Sequence, residues 1–218
     1  MAVIRPIPNR REQRAFNLLE LMVLMALGMI VVAFFLSQTT FRHRRRGHGP
    51  DCVNNLKQIA LAFRIWAGDN NDQYPTQAVT NETGGQKFAN ANDMFRYLQM
   101  MSNELSNPRL LVCPEDPKRL YATNFGPGFT NNNISYFIGL NATEDVPEML
   151  LAGDSQLTNT APRKNGVQLF STNQAAWWTT ARHKGTGNIA ITDGSVARLS
   201  TNSLPVAFGN RTNYLLFP

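Results

Sequence analysis

Cysteine is scarce in this chain: two in 218 residues, Cys52 and Cys113. That excludes a disulfide-dense scaffold, and with no Cys-x-x-Cys pair it excludes the usual zinc-type spacing. Histidine is almost as rare, at three, and His183 is the only one beyond residue 48. Charged residues make up 17%, below the roughly 25% of an ordinary soluble domain. No G-x-S-x-G, P-loop or G-x-G-x-x-G signature occurs, so no nucleophile elbow or phosphate cradle is announced. Long apolar runs are lacking as well, with one exception.

The exception is the stretch "AFNLLELMVLMALGMIVVAFFLS" from Ala15 to Ser37, in which Glu20 is the single charged residue. Its 21 residues from Phe16 to Leu36 would form a helix of roughly 31 Å, the thickness of a bilayer's hydrocarbon core. No clean small-x-small site follows it, which argues against a secretory signal. A span over 16–37 is therefore expected. Four arginines lie on each side, so charge does not set its orientation.

The formal net charge of +6 lies wholly around that run. Residues 1–46 hold eight Arg and two Glu, which leaves 13 of the 21 basic and 13 of the 15 acidic residues to positions 47–218. A neutral body lacks the overall basic excess that phosphate contacts need, so no nucleic-acid partner is expected.

Glu20 is costly within an apolar run and calls for a function. A basic leader (Arg5, Arg10, Arg11, Arg14) precedes Ala15, and then comes "FNLLEL", with Phe first and Glu fifth. This resembles the prepilin-type cleavage and methylation signal of type IV pilins and type II secretion pseudopilins, with Ala15 where the family usually has Gly. The resemblance implies cleavage after Ala15 by a prepilin peptidase and methylation of Phe16. It also implies a pairing of the Glu20 carboxylate with the free amine of a neighbouring subunit.

Beyond the run, "FRHRRRGHGP" reads as a basic flexible joint over 38–50, since Gly47, Gly49 and Pro50 disfavour helix. After it Cys52, Leu56, Ile59, Ala60, Phe63, Trp66 and Ala67 recur at spacings of three and four, an amphipathic helix of about 17 residues. "AGDNNDQYP" ends that helix. Its side-chain oxygens at Asp69, Asn71 and Asp72 are a candidate calcium set, weighed against a plain solvated turn, because the EF-hand spacing is absent. A helix is expected over 91–105, capped by Asn92 or Asp93. Strands are expected in "RLLVCPEDP" (109–117), "NNNISYFIGLNA" (131–142) and "EMLLAGD" (148–154). "GNIAITDGSVARLS" (187–200) reads as a hairpin turning on the two residues Asp193-Gly194.

"HKGTGNIAITDG" leaves nine residues between His183 and Asp193-Gly194. With "CVNNLKQIALAF", "LVCPEDP" and "LLAGD" it resembles the H-x9-DG domain of a large pseudopilin-like group. A hydrogen bond from the His183 ring to Asp193 or to hairpin backbone is the expected structural role. For Cys52 and Cys113, a disulfide and two buried thiols both remain open.

Enzyme signals are weak. "GDSQ" at 153–156 lacks its D-x-x-H partner, since Thr180 stands three before His183. A triad of Ser155 or Ser195 with His183 would have to be assembled by the fold. Trp177-Trp178 is more often core than a sugar platform, unless it is exposed.

The expected fold is α+β: a long N-terminal transmembrane helix, then an amphipathic helix packed on a small antiparallel sheet, as in pilins. The expected division is a cleaved leader over 1–15, a span over 16–37, the joint over 38–50 and a globular head over 51–218. The expected function is a structural pseudopilin-like subunit without catalysis and without a cofactor. Its partners would be prepilin peptidase, other pseudopilin subunits and the inner membrane. The location would be the bacterial inner membrane in a single pass, with the head facing the periplasm. An anchored carbohydrate- or envelope-binding module and a tethered hydrolase are the rival classes.

Overall fold

The computed structural model describes residues 17–41, 49–78 and 90–218. The chain divides into two compact units, 1–46 and 47–218.

In the first unit, helix α1 runs over Leu18–Phe41. Straight-chain and branched apolar residues fill its turns, and no polar stripe breaks its circumference. Every position from 17 to 34 is exposed. Among the described residues, no helix is long and apolar enough to cross a membrane. Glu20 sits in the first turn of α1. The helix then continues through the polar Ser37-Gln38-Thr39-Thr40. This overturns the expected transmembrane helix. The single-pass inner-membrane placement with a periplasmic head rested on that span and falls with it. Ala15, Phe16 and the leader lie outside the described residues, as does most of the expected joint.

The second unit is an α+β body. Its first helix, α2, spans Gly49–Asp69 and begins before the expected start, because Gly49 and Pro50 fall in its first turn, where a missing N–H costs nothing. Its apolar side chains bury one face, from Cys52 through Leu56, Ile59 and Phe63 to Ala67. At its C-terminus Asn70 Nδ2 donates to Trp66 O at 2.7 Å, and Asn71 and Asp72 take left-handed backbone to reverse the chain. Short helices follow: α3 (Pro75–Ala78), α4 (Met94–Met100) and α5 (Ser102–Leu105). The expected single helix over 91–105 is thus a 3₁₀ turn and two short helices. Its cap is Asn90, whose Oδ1 accepts from Asn92 N–H, because an Asx side chain serves a donor two residues on.

Six strands form one antiparallel sheet. They are β1 (Tyr136–Gly139), β2 (Leu150–Asp154), β4 (Val167–Phe170), β6 (Thr186–Ile191), β7 (Val196–Ser200) and β8 (Asn213–Leu216), in the order β4-β8-β1-β2-β6-β7. β3 (Leu157–Asn159) and β5 (Ala176–Trp178) pair separately. The sheet is therefore larger than expected. The strand expected over 109–117 is instead a 3₁₀ turn, Pro108–Leu111, started by Asn107 Oδ1 accepting from Arg109 N–H. The β6–β7 loop has three residues, Thr192-Asp193-Gly194, not two. Ile191 N–H donates to Ser195 O, and Gly194 takes a φ of +87°. That is the bulged form of hairpin, which needs glycine at the left-handed position.

Both faces of the sheet are covered. Strand alternation sends Tyr136, Ile138, Leu151 and Ala190 to the side of α2, α4 and α5. The neighbours Phe137, Leu150 and Ile189 face a second cluster with Trp178, Phe170, Leu215 and helix α6 (Leu204–Phe208).

Candidate functional site

Antiparallel pairing brings the C-terminus of β2, the N-terminus of β6 and the start of β1 to one end of the sheet. Asp154 ends β2 and is directly opposite Tyr136, so both side chains share the face that meets α2. Cys52 enters there from the first turn of α2, and Cys113 from the segment after the 3₁₀ turn. The two are joined in a disulfide with a Cα–Cα distance of 5.4 Å. Of the two readings left open for these cysteines, the structure takes the bridge.

His183 completes the cluster. It precedes β6 in a run of three left-handed residues, His183 (φ 52°), Lys184 (φ 54°) and Gly185 (φ 78°). Such backbone is strained for a non-glycine residue and persists only where its surroundings hold it. The ring is buried. Its Nε2 lies 3.3 Å from Cys113 Sγ and 3.5 Å from Asp154 Oδ2, and its Nδ1 lies 2.9 Å from Glu115 Oε2. The Nδ1–Glu115 approach is an ion-pair distance without hydrogen-bond alignment, and the same Glu115 oxygen accepts the His183 backbone N–H at 3.2 Å. The expected link from His183 to Asp193 is not made. Asp193 sits in the β6–β7 loop at the far end of β6, where its Oδ1 accepts from Ser195 N–H at 2.7 Å. The nine residues between them are Lys184, Gly185, the six of strand β6 and Thr192, so the spacing records the run along β6 rather than a contact.

Asp154 is fully buried. Its Oδ2 accepts from Asn188 N–H at 2.7 Å and from Asn188 Nδ2 at 2.8 Å, whereas its Oδ1 has no hydrogen-bond partner. Burial, then the nearby Asp154 carboxylate, push the Tyr136 hydroxyl well above the usual tyrosine range. Among the described residues, Cys52, Cys113 and His183 are the one group of His, Cys, Asp or Glu side chains whose ligand atoms converge, all within 4.8 Å. The calcium candidates Asp69, Asn71 and Asp72 are exposed on the turn after α2.

Beside this cluster lies a cleft of about 490 Å³ that sequence reasoning missed. Arg182 stands between the two. It is buried against Asp116 at 2.9 Å, and also donates to Ser135 O and to Ser155 Oγ. Ser155 is thereby engaged by a guanidinium, not by an imidazole, and among the described residues neither Ser155 nor Ser195 bonds to His183. Arg119 and Arg163 also line the cleft, and burial lowers the pKa of each guanidinium from its ordinary value. Thr158 lines it too, and Trp177 is directly opposite Thr158 in the β3–β5 pair, hence on the same face. Trp177 is 39% exposed, while Trp178 is buried against Gly187. The three arginines are separated by 44 and 19 residues in sequence, so no local basic cluster marked them.

Comparison with protein-family models, curated proteins and solved structures gives no match to this chain.

Proposed function

We propose that this chain is a structural subunit of a pseudopilin-like assembly, in which α1 packs against the α1 helices of other copies. One observation carries the reading: α1 is apolar all round and exposed at every described position from 17 to 34. A helix without a polar face belongs in an apolar interior. A bundle of like helices supplies one. Glu20 lies in the first turn of α1, the right end for a carboxylate to meet the amino end of a neighbouring subunit. In this reading prepilin peptidase cuts after Ala15 and methylates Phe16, positions that lie outside the described residues.

The test is intact-mass analysis of the chain from cells that carry a prepilin peptidase, joined to chemical cross-linking. The expected result is a chain that begins at methylated Phe16 and cross-links into ladders, and a Glu20→Ala chain that is cut but gives no ladder. A chain retaining Met1, or Glu20→Ala ladders equal to wild type, overturns it.

A second reading is favoured by the cleft. Arg119 and Arg163 of the cleft, with an exposed Trp177 opposite its Thr158, suit an acidic saccharide: guanidiniums pair with carboxylates, and an indole stacks on a sugar ring. Retention of the chain on polyuronate affinity gels, lost in Arg119→Ala and Trp177→Ala, is the expected result. Passage of the wild-type chain without retardation removes this reading.

A further inference from the structure

We propose that the Cys52–Cys113–His183–Asp154 cluster has a second, reduced state that binds one zinc-class divalent cation in place of the disulfide. Three ligand atoms are already gathered, and a buried carboxylate stands beside one of them. Zinc bonds of about 2.0–2.3 Å place the corners of a tetrahedron roughly 3.3–3.8 Å apart. Cys113 Sγ and His183 Nε2 are 3.3 Å apart, and the Asp154 carboxylate lies beside the same nitrogen, its Oδ2 at 3.5 Å. The sulfurs of Cys52 and Cys113 and the ring nitrogen of His183 converge within 4.8 Å. Two thiolates, one imidazole and one carboxylate form a donor set that zinc prefers over calcium or magnesium.

Two observations independent of that convergence point to a cation. Asp154 Oδ1 is buried with no hydrogen-bond partner, although a carboxylate so deeply placed is normally satisfied. Its other oxygen is held in place by two donors from Asn188, which leaves Oδ1 as the free ligand atom. The second observation is Glu115. Its Oε2 lies 2.9 Å from the Nδ1 of His183, on the side of the ring away from sulfur. A small turn of this carboxylate would let it accept from Nδ1–H, the arrangement that orients the opposite nitrogen toward a metal. The strained backbone at His183 presents the ring in this pose.

The two states exclude one another and the exchange balances. An external dithiol gives two electrons and two protons to the Cys52–Cys113 bond and is itself oxidised to a disulfide, leaving two protein thiols. The cation then displaces one proton from each thiol. Those two protons go to solvent as the sulfurs bond to the cation. Cys52 lies in the first turn of α2, where helix ends fray, which gives reductant and metal a way in.

The full-length chain is reduced with dithiothreitol under argon, freed of it by gel filtration, and titrated with Co²⁺ and then Zn²⁺. The expected result is the visible band set of tetrahedral cobalt with a thiolate-to-cobalt charge-transfer band, saturating at one equivalent and bleached by one equivalent of zinc. The unreduced disulfide form gives neither band. Glu115→Gln, which keeps all four ligands, weakens cobalt binding about 10–100-fold. Asp154→Asn changes the band pattern. Reduced, folded wild-type chain with two titratable thiols but no charge-transfer band overturns the proposal. So does a site whose bands and affinity are the same in His183→Gln and Asp154→Asn, since the thiols alone would then bind. If reduction unfolds the chain, zinc should restore the head's circular dichroism; failure to restore it also overturns the proposal.

Discussion

Helices α1 and α2 have similar lengths, 24 and 21 residues, and opposite designs. In α2 the apolar residues keep to one face, which the chain's own sheet and short helices cover. In α1 they occupy every face, and Leu18, Leu19, Leu21 and Leu24, which point to different sides, are all more than 50% exposed. A helix that packs on one partner needs one stripe; a helix surrounded by others needs apolar surface all round. The contrast teaches that α2 finds its partner within its own chain, whereas the described part of α1 leaves its apolar surface uncovered.

The largest effect expected from this contrast is all-or-none. A chain starting at Gly47 should lose self-association entirely in sedimentation velocity, while the head melts at the full-length temperature. A drop in the melting temperature of the truncated head would break the comparison, because α1 would then be stabilising its own chain.

The next effects lie in the body and should leave α1-driven association unchanged. Arg182→Met leaves Asp116 buried without its cation, and the lost pair should cost about 3–5 kcal/mol in urea unfolding. Breaking the disulfide with Cys113→Ser, in metal-free buffer, should cost up to about 4 kcal/mol, since the bridge closes a loop of 61 residues. Gly187→Ala should cost about 1–3 kcal/mol, because a Cβ there would stand 2.4 Å from the Trp178 ring. A variant among these that also changed association would show the two regions to be coupled.

The same contrast explains how much was legible beforehand. The buried face of α2 reads directly from Cys52 to Ala67, because an amphipathic helix writes its period into the chain. The hairpin of β6 and β7 was legible from Asp193-Gly194, though not its three-residue loop, which depends on the backbone at Gly194. Strands β3, β4, β5 and β8 were not legible. With three or four residues each, they are too short to show alternation, and tertiary pairing decides them. The 109–117 stretch looked like a strand from its Leu-Leu-Val run, but Asn107 and Pro108 started a 3₁₀ turn instead. At the site, His183 and the two cysteines were singled out, but not that they meet. Cys113 is 70 residues from it in sequence, and no local pattern encodes such a distance. The arginine cleft was hidden for the same reason, because charge summed over the whole body came to zero.

The smallest expected effect concerns Tyr74, just beyond the C-terminus of α2. Its ring meets Phe63 of α2's buried face edge-on, with centroids 5.6 Å apart. Its hydroxyl is buried without a hydrogen-bond partner. Burial, then the nearby Glu144 carboxylate, raise the Tyr74 pKa to about 12 from an ordinary 10.0. The unfolded chain therefore loses this proton at lower pH than the folded chain. Between pH 10 and 12 the folded state binds more protons, so stability falls as pH rises, by about 1 kcal/mol per unit at most. Below pH 10 this term is constant. Tyr74→Phe removes the ionisable group and an unsatisfied hydroxyl together. It should be neutral to slightly stabilising at pH 7 and should flatten the alkaline loss relative to wild type, with Tyr136 contributing equally to both chains. Parallel alkaline slopes for the two chains would mean that the Tyr74 hydroxyl finds water in the folded state, and that this end of α2's buried face is less dry than its packing indicates.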